Sequence, residues 1–231
     1  MGLFLVLLGI SAWAFSGYAA SSMTDNFDPG SYSLGYQLQG GANGWNASST
    51  NVVVALNPVT STTNGSGQQV VYMGTDTTAT NTLVSGVTNV WTDFYVLPVA
   101  YQPDDGSDYQ ADTNTTAQFY LSTNNFLVTL GLGVTNRATN YMFTAAGSWP
   151  TISTNPLAWY RFSVNHNFKN KQWAVLMNGH VVTQQVPFIN GLASSYNAFQ
   201  IYNGGNTNTW FDTVKIGTNP PSDIATDDNN D

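Results

Sequence analysis

Every acidic side chain in this sequence is an aspartate: thirteen Asp face five Lys and Arg, and no glutamate occurs in 231 residues. Mechanisms that need a Glu acid or base are excluded. Cysteine is absent as well, which removes disulfides, thiol nucleophiles, iron–sulfur clusters and Cys-type zinc sites. Two histidines, His166 and His180, cannot by themselves form a three-His metal site. His166 is in register with Tyr160, Phe162 and Val164 and reads as a core imidazole; His180 follows a turn and reads as solvated. Hard chemistry is left to Asp and hydroxyls, yet Asp104, Asp105 and Asp108 fall in a loop with Gly and Pro, and no strand carries two alternating Asp. No paired catalytic constellation is visible.

The aromatic and amide side chains point elsewhere. A neutral sugar is held by an aromatic face against its C–H groups, ringed by amides and hydroxyls, and this chain is rich in Trp, Tyr, Asn and Gln but poor in cations. The candidates are Trp91, Trp149, Trp159 and Arg161, with Tyr95 and Asn165 beside them. Trp149 precedes Pro150 in a Gly-Ser loop and is the one best placed for exposure.

These residues must be positioned by strands. Apolar runs of four to nine residues alternate with clusters of Asn, Gly, Ser, Thr and Asp, and no segment sustains helical spacing. That pattern is all-β. In Val90 to Leu97, Trp91, Tyr95 and Leu97 point one way and Val90, Phe94 and Val96 the other. In Trp159 to Phe168, Tyr160, Phe162, Val164, His166 and Phe168 share the core face, opposite Trp159, Arg161, Ser163, Asn165 and Asn167. Gln172 to Met177 then meets Asn178-Gly179, a type I′ hairpin signal, and His180 to Gln185 follows. Further strands are expected at Val52 to Leu56, Gln68 to Met73, Ala117 to Leu121, Phe126 to Val134, Phe199 to Tyr202 and Trp210 to Ile216. Many short strands without helices predict two packed antiparallel sheets.

Trp159-Tyr160-Arg161-Phe162-Ser163-Val164, followed by Trp173 to Met177, Asn178-Gly179 and His180-Val181-Val182, resembles the tryptophan-led strand, hairpin and Asn-Gly turn of concanavalin A-like lectin/glucanase domains. The laminin G-like branch is nearest in style. Asp25-Asn26-Phe27-Asp28 and Trp210 to Ile216 are similar to the first and last strands of those jelly rolls, so the resemblance covers about residues 22 to 217. It implies a two-sheet antiparallel jelly-roll sandwich. The glucanases of that superfamily alternate Glu, Asp and Glu on one strand at the spacing of a retaining mechanism; without Glu that catalysis is excluded, and the resemblance implies recognition, adhesion or packing. It also implies a structural Ca²⁺ held by Asp212 of the last strand, with Asp25 or Asp28 near the first as contributors, since this ion takes six to eight oxygens. The alternative is that Asp212 is a carboxylate satisfied by turn amides. The resemblance likewise gives the hairpin Trp159 a packing role.

Residues 1–20 form an uncharged apolar stretch ending in small residues, which reads as a signal peptide cleaved after Ala19 or Ala20, with a retained membrane anchor as the alternative. Either way the domain, residues 21–217, is expected to be secreted or on the cell surface. Residues 218–231 contain Asp223, Asp227, Asp228 and Asp231 and read as an acidic disordered tail or linker. A net charge of -8 disfavours nucleic acid as a partner; a membrane enters only if the leader is retained. The expected function is a non-catalytic domain for a neutral polysaccharide or other glycan. A structural surface or matrix protein without a small ligand is the alternative, and an Asp-only enzyme ranks last. Oligomeric state is not encoded in these patterns.

Overall fold

The computed structural model describes residues 22–59, 68–85, 88–97, 110–112, 117–121, 126–130, 137–139, 159–188, 191–203 and 208–224. Strands dominate them: β1 (Met23–Asp25), β2 (Trp45–Ala47), β3 (Val52–Leu56), β4 (Gln69–Met73), β5 (Thr77–Ser85), β6 (Asn89–Leu97), β7 (Gln110–Asp112), β8 (Ala117–Leu121), β9 (Phe126–Leu130), β10 (Arg137–Thr139), β11 (Tyr160–Asn167), β12 (Gln172–Met177), β13 (His180–Pro187), β14 (Tyr196–Asn203) and β15 (Thr209–Gly217). The helical elements among the described residues are two short 3₁₀ turns, Leu38–Gly40 and Ala42–Gly44.

The larger sheet runs β13-β12-β11-β6-β15-β4-β3, with β1 added alongside β15; the smaller runs β2-β5-β14-β9-β8. All pairings between these strands are antiparallel. Phe94, Phe162, Val164 and Phe211 of the larger sheet share one buried cluster with Trp45, Ala79, Phe199 and Ile201 of the smaller. Trp45 stacks at tilted angles on Phe27 and Phe211 and meets Phe199 edge-on. Polar bonds also cross the core: the Thr92 and Tyr196 hydroxyls stand 2.9 Å apart, and Asn203 Nδ2 donates to the Gly74 carbonyl.

The strands expected at Val52 to Leu56, Ala117 to Leu121 and Gln172 to Met177 have those bounds, and the others shift at their ends. Part of Phe126 to Val134 lies outside the described residues. The alternation of β6 and β11 agrees with the sequence: Val90, Phe94, Val96, Tyr160, Phe162 and Val164 face the core, while Tyr95, Leu97 and Trp159 belong to a second cluster on the outer face. Asn178 and Gly179 both have positive φ, 51° and 79°, and Met177 pairs with His180 across them, as a type I′ turn requires.

Two features differ from the sequence reading. The nine residues of β5, TTATNTLVS, are not among the expected strands, yet threonine is β-branched and suits a pleated strand. The second is β15. Plain alternation puts Trp210, Asp212, Val214 and Ile216 on one face with Lys215 opposite. Instead the register with β6 shifts between Asp212 and Lys215, and Thr213 takes φ 49°. One extra residue is absorbed, so Phe211, Val214 and Ile216 enter the core, while Asp212 pairs with Tyr95 and Lys215 with Asp93 on the outer side.

Candidate functional site

The outer face of the larger sheet carries a polar cluster centred on Asp93. This residue is 3% exposed and the only charged residue of β6, so its charge must be compensated. Its cross-strand neighbours are Ser163 on β11 and Lys215 on β15. Arg161 Nε donates to Asp93 Oδ1 at 2.8 Å and Arg161 Nη2 to Oδ2 at 2.9 Å, a fork that matches a carboxylate. Ser163 Oγ donates to Oδ1 at 2.5 Å. Burial of the guanidinium works against its charge, but the bonds to Asp93 and Asp223 outweigh this and hold Arg161 above its ordinary pKa. The guanidinium also lies 5.9 Å from the ring centre of Tyr95, within cation–π range; burial, more than any neighbouring charge, raises the pKa of that phenol.

A cleft of about 420 Å³ opens over this cluster, lined by Trp91, Asp93, Arg161, Lys215 and, from its far wall, Pro221 and Asp223. The far wall is the segment that follows β15, which sequence reading assigns to the tail. Residues 218–223 line the cleft, with Ile224 N bonded to the Pro221 carbonyl and the Asp223 carboxylate accepting from Arg161 Nη1. That bond holds the Asp223 carboxyl below its ordinary pKa.

Of the residues expected to bind a ligand, Trp91, Tyr95 and Arg161 are brought together here. Trp91 is half-buried on the cleft wall. Trp159 is 3% exposed and packs with Val70 and Leu97, its Nε1 donating to Asn57 Oδ1; it supports the outer face and presents no surface. Trp149 lies outside the described residues. Sequence reasoning missed Asp93, Lys215 and Asp223. The signal for Asp93 was present: one Asp and one Arg, each the only charged residue of its strand, predict a pair.

The residues expected to hold calcium are separated. Asp25 pairs with Val214 on the core side of the sheet, and its carboxylate accepts from Phe27 N at 3.1 Å, Tyr32 OH at 2.5 Å and Trp45 Nε1 at 3.0 Å. Burial, and then the bond to Asp25, raise the Tyr32 phenol pKa and keep it a donor. Asp212 is fully buried but stands opposite Tyr95, its Oδ1 accepting from Thr213 N at 2.7 Å. Asp28 sits at a turn where its carbonyl accepts from Ser31 and Tyr32. The bulge at Thr213 turns Asp212 away from Asp25, and hydrogen-bond donors already face the Asp25 oxygens, so these three do not fit one shared calcium ion. Among the described residues no group of three or more His and Asp is placed to hold a metal.

These features define a two-sheet β-sandwich with a polar cleft on its larger sheet. No family model and no curated protein matches the chain. Among solved structures, an alginate lyase in complex with alginate trisaccharide is similar at TM-score 0.50 and 11% identity over 87% of this chain and 99% of that one. The botulinum neurotoxin type G receptor-binding domain aligns at TM-score 0.46 and 13% identity over 86% of this chain. This chain spans just under half the length of that domain, 47%. Domain 4 of an extracellular arabinanase from Geobacillus stearothermophilus, in complex with arabinotriose, aligns at TM-score 0.39 and 11% identity over 86% of this chain and 82% of that one. At such identities the likeness speaks for the sandwich, and it does not single out the concanavalin A-like or laminin G-like branch.

Proposed function

We propose that this chain is an exported, non-catalytic carbohydrate-binding domain whose glycan site is the cleft over Asp93. The observation that carries the reading is the convergence of Trp91 and Arg161 from two strands onto one cavity of about 420 Å³, with Tyr95 beside the guanidinium. A cleft of this size suits one or two sugar rings, with an aromatic wall and a few fixed polar groups to orient them. Arg161, Asp93 and Ser163 are locked by one another and so meet a ligand without losing further freedom. The similar fold of the alginate lyase, bound to its trisaccharide, is compatible with a glycan on such a sandwich.

The engagement of the carboxylates supports non-catalytic action. Both oxygens of Asp93 are engaged by Arg161, so neither is free to meet a substrate. A general acid needs a proton to give. Asp223 is 63% exposed and bonded to the same guanidinium, which lowers its pKa and favours its ionised form.

Affinity electrophoresis through gels containing a panel of polysaccharides tests the reading, with the circular dichroism of each variant as a fold control. Retention by at least one glycan is expected, with Trp91→Ala weakening it on the order of tenfold through loss of the aromatic contact, worth about 1–2 kcal/mol. Retention untouched by Trp91→Ala, or no retention in any gel, would refute it.

A further inference from the structure

The two carboxylates on Arg161 differ in kind. Asp93 is buried on β6 and takes Nε and Nη2; Asp223 is 63% exposed, comes from the segment after β15, and takes Nη1. An exposed partner on a screened surface adds little stability and exchanges readily. Nη1 is therefore the edge of the fork that faces the cleft, and it is occupied by a carboxylate that can leave. Lys215, exposed and across the strand from Asp93, lines the same cleft. Two of the five basic residues in the whole chain thus stand at one cavity.

We propose that the cleft recognises a glycan through a single carboxylate, that of one uronic or other carboxylated sugar, which takes the place of Asp223 on Arg161 Nη1 beside Lys215 and Trp91. The inference rests on the glycan-binding reading and departs from the neutral glycan that composition suggests. Charge balance supports it. Arg161 and Lys215 offset Asp93 and Asp223, and exchanging one carboxylate for another preserves that balance. It also limits the ligand to an isolated carboxylate, because a chain of net charge -8 repels a run of them. The residues after β15 then act as a tethered competitor, since the exchange is intramolecular until a ligand intervenes.

Isothermal titration at 0.15 M salt tests this with glucuronate-, galacturonate- and sialate-terminated oligosaccharides, each beside its carboxyl-reduced form. The expected result is that at least one acidic probe binds roughly tenfold or more tighter than its reduced counterpart, as a charge-assisted contact to Nη1 beside Lys215 allows. Asp223→Ala, an exposed change that leaves the Asp93 pair intact, should strengthen the acidic probe about two- to fivefold and leave the reduced one unchanged; Lys215→Gln should weaken the acidic probe alone. If acidic and reduced forms bind equally and both depend on Trp91, the carboxylate inference falls while the glycan site stands. If Asp223→Ala weakens the acidic probe, Asp223 belongs to the site and is not its stand-in, which also overturns the inference. Binding of neither form by wild type or Asp223→Ala overturns the inference and the glycan reading together.

Discussion

At the scale of single residues, the outer face depends on an ion pair that is nearly dry: the side chains of Arg161 and Asp93 are 14% and 4% exposed. Removing one member of such a pair costs more than removing both, because the remaining charge stays buried without a partner. Arg161→Ala should therefore lower unfolding stability by about 3 kcal/mol, whereas Asp93→Asn combined with Arg161→Met should lose much less; urea titration of both variants checks this. Asp25 obeys the same logic with neutral donors. Its carboxylate accepts from Phe27 N, Tyr32 OH and Trp45 Nε1 in the core, so Asp25→Ala leaves three buried donors unpaired and should cost roughly 3 kcal/mol. Because three hydrogen-bond donors face this carboxylate, chelator should leave the wild-type melting temperature unmoved. A downward shift in chelator would restore a metal at the first strand.

At the scale of elements, the β12–β13 hairpin and the β15 bulge show how one backbone angle sets a whole face. Gly179 has φ 79° and open space where a Cβ would sit, so a substitution there meets no steric wall and is opposed by backbone strain alone. Gly179→Val should cost about 1–2 kcal/mol, and Gly179→Asn only a fraction of that, because Asn tolerates the left-handed region. Thermal melts of the two variants compare them directly; equal melting temperatures would contradict the turn geometry. In β15 the positive φ of Thr213 shifts the register by one, so that Val214 and Ile216 complete the core while Lys215 reaches the cleft. A slip of one residue in a strand moves every later side chain to the other face. The same rule explains why sequence alternation, correct for β6 and β11, misplaces Phe211 and Asp212 relative to Val214 and Ile216.

At the scale of the whole molecule, the sandwich closes over His166, which is fully exposed to the core and not at all to solvent: its relative exposure is 0%. Phe168, Phe188 and Tyr196 surround it at ring-centre distances of 6.3, 6.2 and 5.3 Å. Burial lowers its pKa from 6.5 to about 3. A histidine whose folded pKa lies below its unfolded one contributes no destabilisation at neutral pH and loses stability as pH falls below 6.5, because the unfolded chain takes up the proton first. Between pH 7.5 and 5 the loss should reach about 2 kcal/mol, ahead of most carboxylate titration. His166→Phe should flatten that slope. Chemical denaturation at the two pH values reads the difference, and an unchanged slope in the variant would assign the pH dependence to other groups.

The class of the fold was written in the sequence because burial on a pleated strand has a period of two, and Val90 to Leu97 and Tyr160 to Asn167 display it without help from any partner. The Asn178-Gly179 corner was equally plain, since only a few residue types accept positive φ twice. Part of the site was legible too: Trp91, Tyr95 and Arg161 fell on predicted outer faces. That these faces adjoin was not, because β6 and β11 are separated by some sixty residues of chain and their adjacency is a property of sheet order. The tertiary structure alone decided that Asp93 receives Arg161, that a bulge delivers Lys215 to the cleft while turning Asp212 from Asp25, and that Asp223 closes over the guanidinium. Each is a contact between residues distant in sequence, set by which strands pair and in what register, and no local pattern carries that information.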